Sequence, residues 1–279
     1  MFYLMMFAFS LFANAQETID LDKLNKRYET YYLDKSRSGK EVPFTGIAVE
    51  HHENGQKKKE VNFKDGKYHG HYTTWYENGQ KEFEENYKNG EEHGLSILWY
   101  ENGQKSREHN YKEGYDQGPE TTWYENGQKK SETNYKDRNR HGLSIGWYEN
   151  GQKEYEDTYN LKDGKDYATR YGPAISWYEN GQKEEEGNYK NGKKDGTWTE
   201  WYENGQIKCK GSYVKEVGTM NCWYENGQKS GEGNYKNGEK DGIWTEWSEN
   251  GRKKFKTKYE DGRKITFLQR ITDWIDQFE

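Results

Sequence analysis

The feature that most constrains this chain is a short motif, Glu-Asn-Gly-Gln, which occurs in nine copies along 279 residues. The copies begin at Glu53, Glu77, Glu101, Glu125, Glu149, Glu179, Glu203, Glu225 and Glu249, the last with Arg in place of Gln. The spacings are 24, 24, 24, 24, 30, 24, 22 and 24 residues. A fixed period of this length is typical of a solenoid, in which each copy is one small unit packed on its neighbours.

Other positions recur with the motif. A glycine precedes each motif glutamate by seven residues, and an aromatic residue follows it by ten. A tryptophan stands two residues before it in eight copies, with His51 in the first. The sequence therefore contains one supersecondary unit copied nine times.

Each unit is predicted to be a β-hairpin. Asn-Gly flanked by aromatic and β-branched residues is typical of a two-residue type I′ turn, here at Asn78-Gly79. A second turn signal, such as Lys88-Asn89-Gly90, falls half a period later. Nine such units would give about eighteen antiparallel strands. We expect an all-β fold: a single-layer antiparallel β-hairpin solenoid of about nine repeats.

The turn positions also predict a strand register. The expected cross-strand pairs are Tyr76 with Lys81, Trp75 with Glu82, Thr73 with Glu84, and Tyr87 with both Gly70 and Gly94. Both faces then mix aromatic with charged residues, so neither resembles the buried face of a sandwich. The two irregular spacings change the length by six and by two residues. Even changes keep every later side chain on its own face.

Composition agrees with this fold and excludes others. Leu, Ile, Val and Phe together number 35, too few for the aliphatic core of a large α/β enzyme. The chain instead has 25 Tyr, 11 Trp and 10 Phe, whereas disordered chains are usually poor in aromatic residues. Its net charge of −6 argues against nucleic acid as a partner.

The two ends differ from the repeats. Residues 1–15 form an apolar run that ends in Ala13-Asn14-Ala15, which predicts a secretory signal peptide, with a short membrane anchor as the alternative. The mature protein would then be exported to the periplasm, the cell surface or the medium. Residues 16–43 should form an N-terminal cap, irregular from about Tyr28, and residues 44–263 the nine repeats. Residues 264–279 have helical apolar spacing and should cap the last strand as an amphipathic helix, or bind a partner.

Stretches such as Gly187-Asn188-Tyr189-Lys190-Asn191-Gly192-Lys193-Lys194-Asp195-Gly196-Thr197-Trp198 resemble the MORN repeat. The Trp-Tyr-Glu-Asn-Gly-Gln-Lys segments are similar to its bacterial variant form. The resemblance covers Phe44 to about Arg263 and implies a hairpin solenoid without catalytic activity. Members of the variant family are often labelled antitoxins of toxin–antitoxin systems, which implies binding and neutralising a toxin protein. Lipid binding, proposed for the parent repeat, is not expected because no basic face stands out.

We predict no catalytic residue, no metal site and no cofactor. His69, His93 and His141 occupy one turn position in different repeats, about 9.6 Å apart between neighbouring copies and too far to share a zinc ion. The remaining candidates are exceptions to the period. Cys209 and Cys222, the only cysteines, are predicted to lie opposite each other around the shortened loop. In an exported protein a disulfide is preferred over two free thiols.

The insertion Asn160 to Tyr171 is either a recognition loop or an inert bulge. The periodic aromatic and basic residues are the expected binding surface. They are Trp75, Trp99, Trp123, Trp147, Trp177, Tyr76, Tyr100, Tyr124, Tyr148, Lys81, Lys105 and Lys129. Tyr and Trp are enriched where proteins bind proteins, so the first hypothesis is a non-enzymatic protein-binding scaffold, an antitoxin or immunity protein being one version. The alternatives are an exported structural or adhesive envelope protein and a carbohydrate binder.

Overall fold

The structure is a computed structural model that describes residues 16–27, 29–35, 40–161 and 167–265. Three sequence predictions lie outside the described residues: the signal segment 1–15, residues 162–166 of the insertion, and residues 266–279 of the C-terminal helix. The chain separates into two compact units, residues 1–103 with 111–114, and residues 104–110 with 115–279. Both are built of antiparallel hairpins, so the all-β hairpin solenoid is confirmed.

The first unit contains ten strands. They are β1 Thr18–Asp20, β2 Leu24–Arg27, β3 Thr30–Lys35, β4 Lys40–Pro43, β5 Gly46–His51, β6 Lys57–Lys64, β7 Lys67–Trp75, β8 Lys81–Lys88, β9 Glu91–Glu92 and β10 Gly94–Trp99. Strands β5 to β8 form a meander, and β8 pairs with both β9 and β10.

The described residues between 29 and 43 form strands β3 and β4, which corrects the expectation of an irregular cap from about Tyr28. Strand β1 pairs in parallel with β5 and covers its edge, and β2, β3 and β4 form a small antiparallel sheet. A short 3-10 helix, Leu21–Lys23, separates β1 from β2. The buried core of this unit consists of Phe44, Ala48, Val61 and Phe63.

The second unit contains the remaining strands. They are β11 Lys105–Lys112, β12 Tyr115–Asp116, β13 Gly118–Trp123, β14 Lys129–Lys136, β15 Asn139–Trp147, β16 Lys153–Leu161, β17 Ala168–Trp177, β18 Lys183–Lys190, β19 Lys193–Trp201, β20 Ile207–Val214, β21 Val217–Trp223, β22 Lys229–Lys236, β23 Glu239–Trp247, β24 Lys253–Glu260 and β25 Arg263–Lys264. Residues 105–110 of β11 belong to this unit. From β13 onward each strand pairs antiparallel with the next.

The motif turn is longer than predicted. Gly79 N donates to Tyr76 O at 2.9 Å and Tyr76 N donates to Gln80 O at 2.9 Å, which encloses three loop residues. Gly79 has φ +83° and Asn78 does not have a positive φ, so this is a type I turn with a glycine bulge and the type I′ prediction is wrong. Trp75 consequently pairs with Lys81, not Glu82, and Tyr76 does not pair with Lys81. The pairs Thr73–Glu84 and Gly70–Tyr87 are confirmed.

The second turn has type I′ dihedral signs in the repeats whose second turn the structure describes; in the second repeat, for example, Asn89 and Gly90 both have positive φ. Its register places Tyr87 opposite Glu92. Further along β8, Phe83 pairs with Leu98 of β10, so the register shifts by two residues between β9 and β10. This bulge holds Gly94 at φ +89°, and the expected pairing of Tyr87 with Gly94 is wrong.

The shortened repeat lacks this bulge. Strands β20 and β21 pair without a shift from Cys209–Cys222 to Val214–Val217. Gly218 lies opposite Tyr213 as predicted, and among the repeat glycines it is the one without a positive φ. The two missing residues are therefore those of the bulge.

Candidate functional site

The predicted tryptophans and lysines form a Trp–Lys ladder. In the first unit Lys57 Nζ lies 5.7 Å from the Trp75 ring centroid, and Lys81 Nζ lies 5.6 Å from that of Trp99. In the second unit Lys105, Lys129 and Lys153 lie 5.9, 6.0 and 5.6 Å from Trp123, Trp147 and Trp177. Each lysine thus covers the tryptophan of the next repeat with a cation–π contact. The sequence had suggested that tyrosine would be the lysine's partner.

The predicted tyrosines link repeats through the backbone. The hydroxyl of Tyr76 donates to Trp99 O at 2.7 Å. In the second unit Tyr124 and Tyr148 donate to Trp147 O at 2.8 Å and to Trp177 O at 2.7 Å. Burial raises the pKa of Tyr76 and of Tyr148. Tyr100 occupies the equivalent position and is half-buried.

The motif turns also contact one another. Asn78 Oδ1 accepts from Gln80 N at 2.9 Å, and Asn78 Nδ2 donates to Glu101 O of the next turn at 2.9 Å. Gly103 has φ +82°, which favours glycine, and a Cβ there would also displace the side-chain oxygen of Gln80, 2.0 Å away. Each residue type of the motif thus has a structural role, and the periodic side chains hold neighbouring repeats together.

The sequence analysis missed a buried row on the opposite face. In the first unit it consists of Ala48, Val61, Tyr72, Glu85 and Ser96; in the second it runs through His109, Glu120, Thr133, Ser144, Asp157, Ala174, Gly187, Trp198, Gly211, Met220, Gly233, Trp244 and Thr257. Most members pair directly across neighbouring strands. The identity changes from repeat to repeat, so no periodic signal marks the row. Trp198 and Trp244, outside the periodic tryptophan positions, were the available sign.

The second unit begins this row with a polar stretch, from His109 to Asp157. His109 is 2% exposed; its Nε2 lies 2.6 Å from Asp116 Oδ1 and its Nδ1 lies 3.2 Å from Glu120 Oε2. Burial lowers the pKa of His109, but the hydrogen bonds to Glu120 and Asp116 outweigh burial and the pKa is raised. Arg107 Nε donates to Glu120 at 2.7 Å. The carboxylates beside the two ring nitrogens thus favour the protonated imidazolium form of His109.

The row continues as an apolar stretch, from Ala174 to Thr257. Trp198 lies over Gly187 and Trp244 over Gly233, where an added Cβ would come within 2.2 and 2.5 Å of the rings. Met220 occupies the corresponding place in the shortened repeat. Cys209 and Cys222 pack against this stretch and are joined by a disulfide.

An uncharged strip runs along the exposed face of the second unit. Its paired residues are Pro119 with Asn134, Leu143 with Thr158, Pro173 with Asn188, Thr197 with Ser212 and Thr219 with Asn234. It ends at Ile243, whose partner on the next strand is the charged Lys258. Leu143 is 44% exposed and Ile243 is 59% exposed. Leu143 precedes buried Ser144, so the strip lies on the face opposite the buried row. In a chain with 33% charged residues, this row of eleven side chains carries none.

The non-periodic insertion contributes exposed Tyr167 and Tyr171, while Arg170 Nη2 pairs with buried Asp157 Oδ2 at 3.0 Å. No group of three His, Cys, Asp or Glu residues within the described ranges is arranged to hold a metal ion. In the same ranges, no helix has the length and hydrophobicity needed to span a membrane.

Comparison with known families identifies the repeats and their boundaries. A profile described as MORN repeat variant matches residues 44–65, 68–89, 92–113, 116–137, 140–161, 170–191, 194–215 and 216–237. The hairpin that follows, with strands β23 and β24, has the same pairing and completes nine copies. No curated protein matches the chain.

Proposed function

Because this chain belongs to the MORN repeat variant family, whose repeats generally serve as scaffolds for protein or membrane binding, we propose that it binds another protein through the uncharged strip of its second unit. The periodic tryptophans, tyrosines and lysines are occupied in holding repeats together, so they supply the rigid support. The partner's contact surface is then the strip, and the scaffold itself performs no chemistry.

The observation that carries this proposal is the absence of charge along the strip. The centres of protein–protein interfaces are depleted in charged residues, whereas their rims are polar. Leu143 and Ile243 project from the strip with large exposed apolar areas, and its intervening residues are Pro, Thr, Ser and Asn. A membrane surface would instead be attracted by Lys or Arg side chains, which the strip does not contain.

In its finer form, the proposal is that the protein is an exported antitoxin or immunity protein and that the partner is a toxin. The apolar segment 1–15 supports export, and the Cys209–Cys222 disulfide supports an oxidising compartment. The antitoxin role rests on the resemblance to labelled members of the variant family.

The test is direct binding to the products of the neighbouring genes, measured by calorimetry with the purified, disulfide-bonded chain. We expect one neighbouring product to bind one to one. Leu143→Glu should weaken that binding by at least about tenfold, because it places a charge inside a desolvated interface.

Ile207→Glu is the matched control, since Ile207 is also exposed but lies outside the strip. Unchanged binding by Leu143→Glu would reject the strip as the contact surface. If no neighbouring product binds and the strip variants fractionate with the cell surface like the wild type, the envelope role replaces the antitoxin role.

A further inference from the structure

An open cavity of about 800 Å³ lies in the second unit at the shortened hairpin β20–β21. Its walls include Tyr189, Tyr213 and Tyr235, and Met220 lies at its base. Lys194 and Glu200 are among the charged groups that face it. This volume is in the range of pockets that hold small organic ligands.

The cavity is a consequence of the two missing residues. In the four bulged hairpins between β14 and β23 the residue that pairs with the repeat tyrosine is long and basic: Arg140 with Tyr135, Arg170 with Tyr159, Lys194 with Tyr189 and Lys240 with Tyr235. In the first unit the partner of Tyr87 is instead Glu92. In the shortened hairpin that residue is Gly218, opposite Tyr213. One basic side chain is therefore missing from an otherwise regular row.

The neighbouring repeats show what such a side chain does. Arg140 lies 5.4 Å from the ring of Tyr159, Arg170 lies 5.2 Å from that of Tyr189, and Lys240 Nζ lies 5.3 Å from that of Tyr259. Among the described residues, no lysine or arginine lies over the ring of Tyr213 or Tyr235. Tyr235 lacks this cation because Gly218 stands in place of the basic residue, and Tyr213 lacks it because Lys194 lies over the Trp198 ring instead.

The carboxylates of this face follow the same pattern. Arg170 pairs with Asp157 at 3.0 Å, Lys194 pairs with Glu185, and Lys240 Nζ lies 3.6 Å from Glu246. Within the described ranges Glu200 makes no ion pair, although it faces the cavity. Glu200 corresponds to Glu246 of the later repeat, and Lys194 corresponds to Lys240, but Lys194 pairs with Glu185 and leaves Glu200 without that cation.

The two lysines at the cavity are already neutralised. Lys193 pairs with Glu216, and Lys194 pairs with Glu185 while its Nζ lies 4.0 Å from the Trp198 ring. The remaining charge is the carboxylate of Glu200. Aromatic rings beside an unpaired carboxylate favour an organic cation over an anion.

We propose that this cavity binds an alkylammonium or guanidinium group, which lies against the adjoining rings of Tyr213 and Tyr235, 6.5 Å apart between centroids, and pairs with Glu200. The group could belong to a lysine or arginine side chain of a protein ligand or to a free organic cation, since the recognised chemistry is the same. This site is separate from the uncharged strip.

Capped lysine, capped arginine and choline are the probes, with capped norleucine as the uncharged control. Binding to the full disulfide-bonded chain is followed by tryptophan fluorescence and by the NMR signals of ring-labelled tyrosines. The cationic probes should bind, and norleucine should bind at least about tenfold more weakly. Tighter binding of the capped amino acids than of choline would identify a protein side chain as the source; the reverse would identify a free cation.

Two variants test the assignment. Glu200→Gln should weaken the cationic probes at least about tenfold. Replacing residues 214–217 with a copy of residues 190–195 restores the bulge and its lysine, and should abolish probe binding while the repeat fold is kept. Leu143→Glu, on the strip, should leave probe binding unchanged.

Equal binding of lysine and norleucine, or full binding in the bulge-restored variant, would overturn the proposal. So would preferential binding of inorganic phosphate that is lost in Lys194→Met, because this result would make the cavity an anion site.

Discussion

The polar and apolar stretches of the buried row lie in the same unit and on similar hairpins, yet they are stabilised by different forces. His109, Glu120 and Asp157 are held by ion pairs and hydrogen bonds. Trp198, Met220 and Trp244 are held by packing against glycines and aromatic rings. The comparison teaches that the repeated residues determine the backbone and the contacts between neighbouring repeats. The side chains of the buried row can therefore be charged, polar or apolar.

The largest effect is expected from Trp198→Ala in the apolar stretch. The change removes a side chain that is 1% exposed, and truncating a buried tryptophan costs about 3–5 kcal/mol. Urea unfolding measures the loss, which should be the same near pH 5.5 and pH 8.5 because packing carries no charge. A loss that differs between these pH values would contradict the division between the stretches.

Reduction of the Cys209–Cys222 disulfide should have the next largest effect. The bridge closes a short loop, with a sequence separation of 13, so its removal is expected to cost about 3 kcal/mol or less. Urea unfolding with and without reductant measures this cost. The double variant Cys209→Ser/Cys222→Ser is the control and should respond to reductant with no change in stability.

The polar stretch should be sensitive to pH. The folded pKa of His109 is raised above the ordinary histidine value of 6.5, so its stabilisation is complete below about pH 6.5 and is lost as the pH rises through the folded pKa. His109→Gln should cost about 2 kcal/mol near pH 5.5, the value typical of hydrogen bonds to charged groups, and less at alkaline pH. If the free energies of unfolding of wild type and variant differ by the same amount at every pH in this range, His109 is not the source of the pH dependence.

The smallest effect tests what the two stretches share. Gly142 and Gly196 have φ of +75° and +73°, and an added Cβ at either would meet nothing within 4 Å. Gly142→Ala and Gly196→Ala should each cost about 1–2 kcal/mol, because only the left-handed backbone opposes them. Asparagine at the same positions should cost less, since it tolerates this conformation.

Gly218→Asn provides the contrast. Gly218 has no positive φ, but an added Cβ would lie 2.6 Å from the Tyr213 ring and 2.7 Å from Ser212 O. Asparagine should therefore give no relief over alanine there. If Gly142→Ala and Gly196→Ala lose different amounts of stability, the side chains of the buried row, and not the backbone conformation, determine the bulge.

The period predicted the hairpin fold and pairs such as Thr73–Glu84 and Cys209–Cys222, because a repeated pattern fixes the strand order and most of the register. It could not predict the pairing of Trp75 with Lys81 or of Tyr87 with Glu92, since Asn-Gly fits more than one turn and a bulge leaves no distinct residue signal. The buried row was missed for a different reason: its members range from His109 to Trp198, and periodic averaging hides positions that differ in every copy.

The tyrosine hydroxyl bond to the next repeat ends on a main-chain oxygen, as from Tyr76 to Trp99. Every residue type supplies that acceptor, so this junction places no demand on the neighbour's side chains. A copy can be duplicated, lost or exchanged without a matching change next to it. The array can thus lengthen while each position of the buried row remains free to change its residue type.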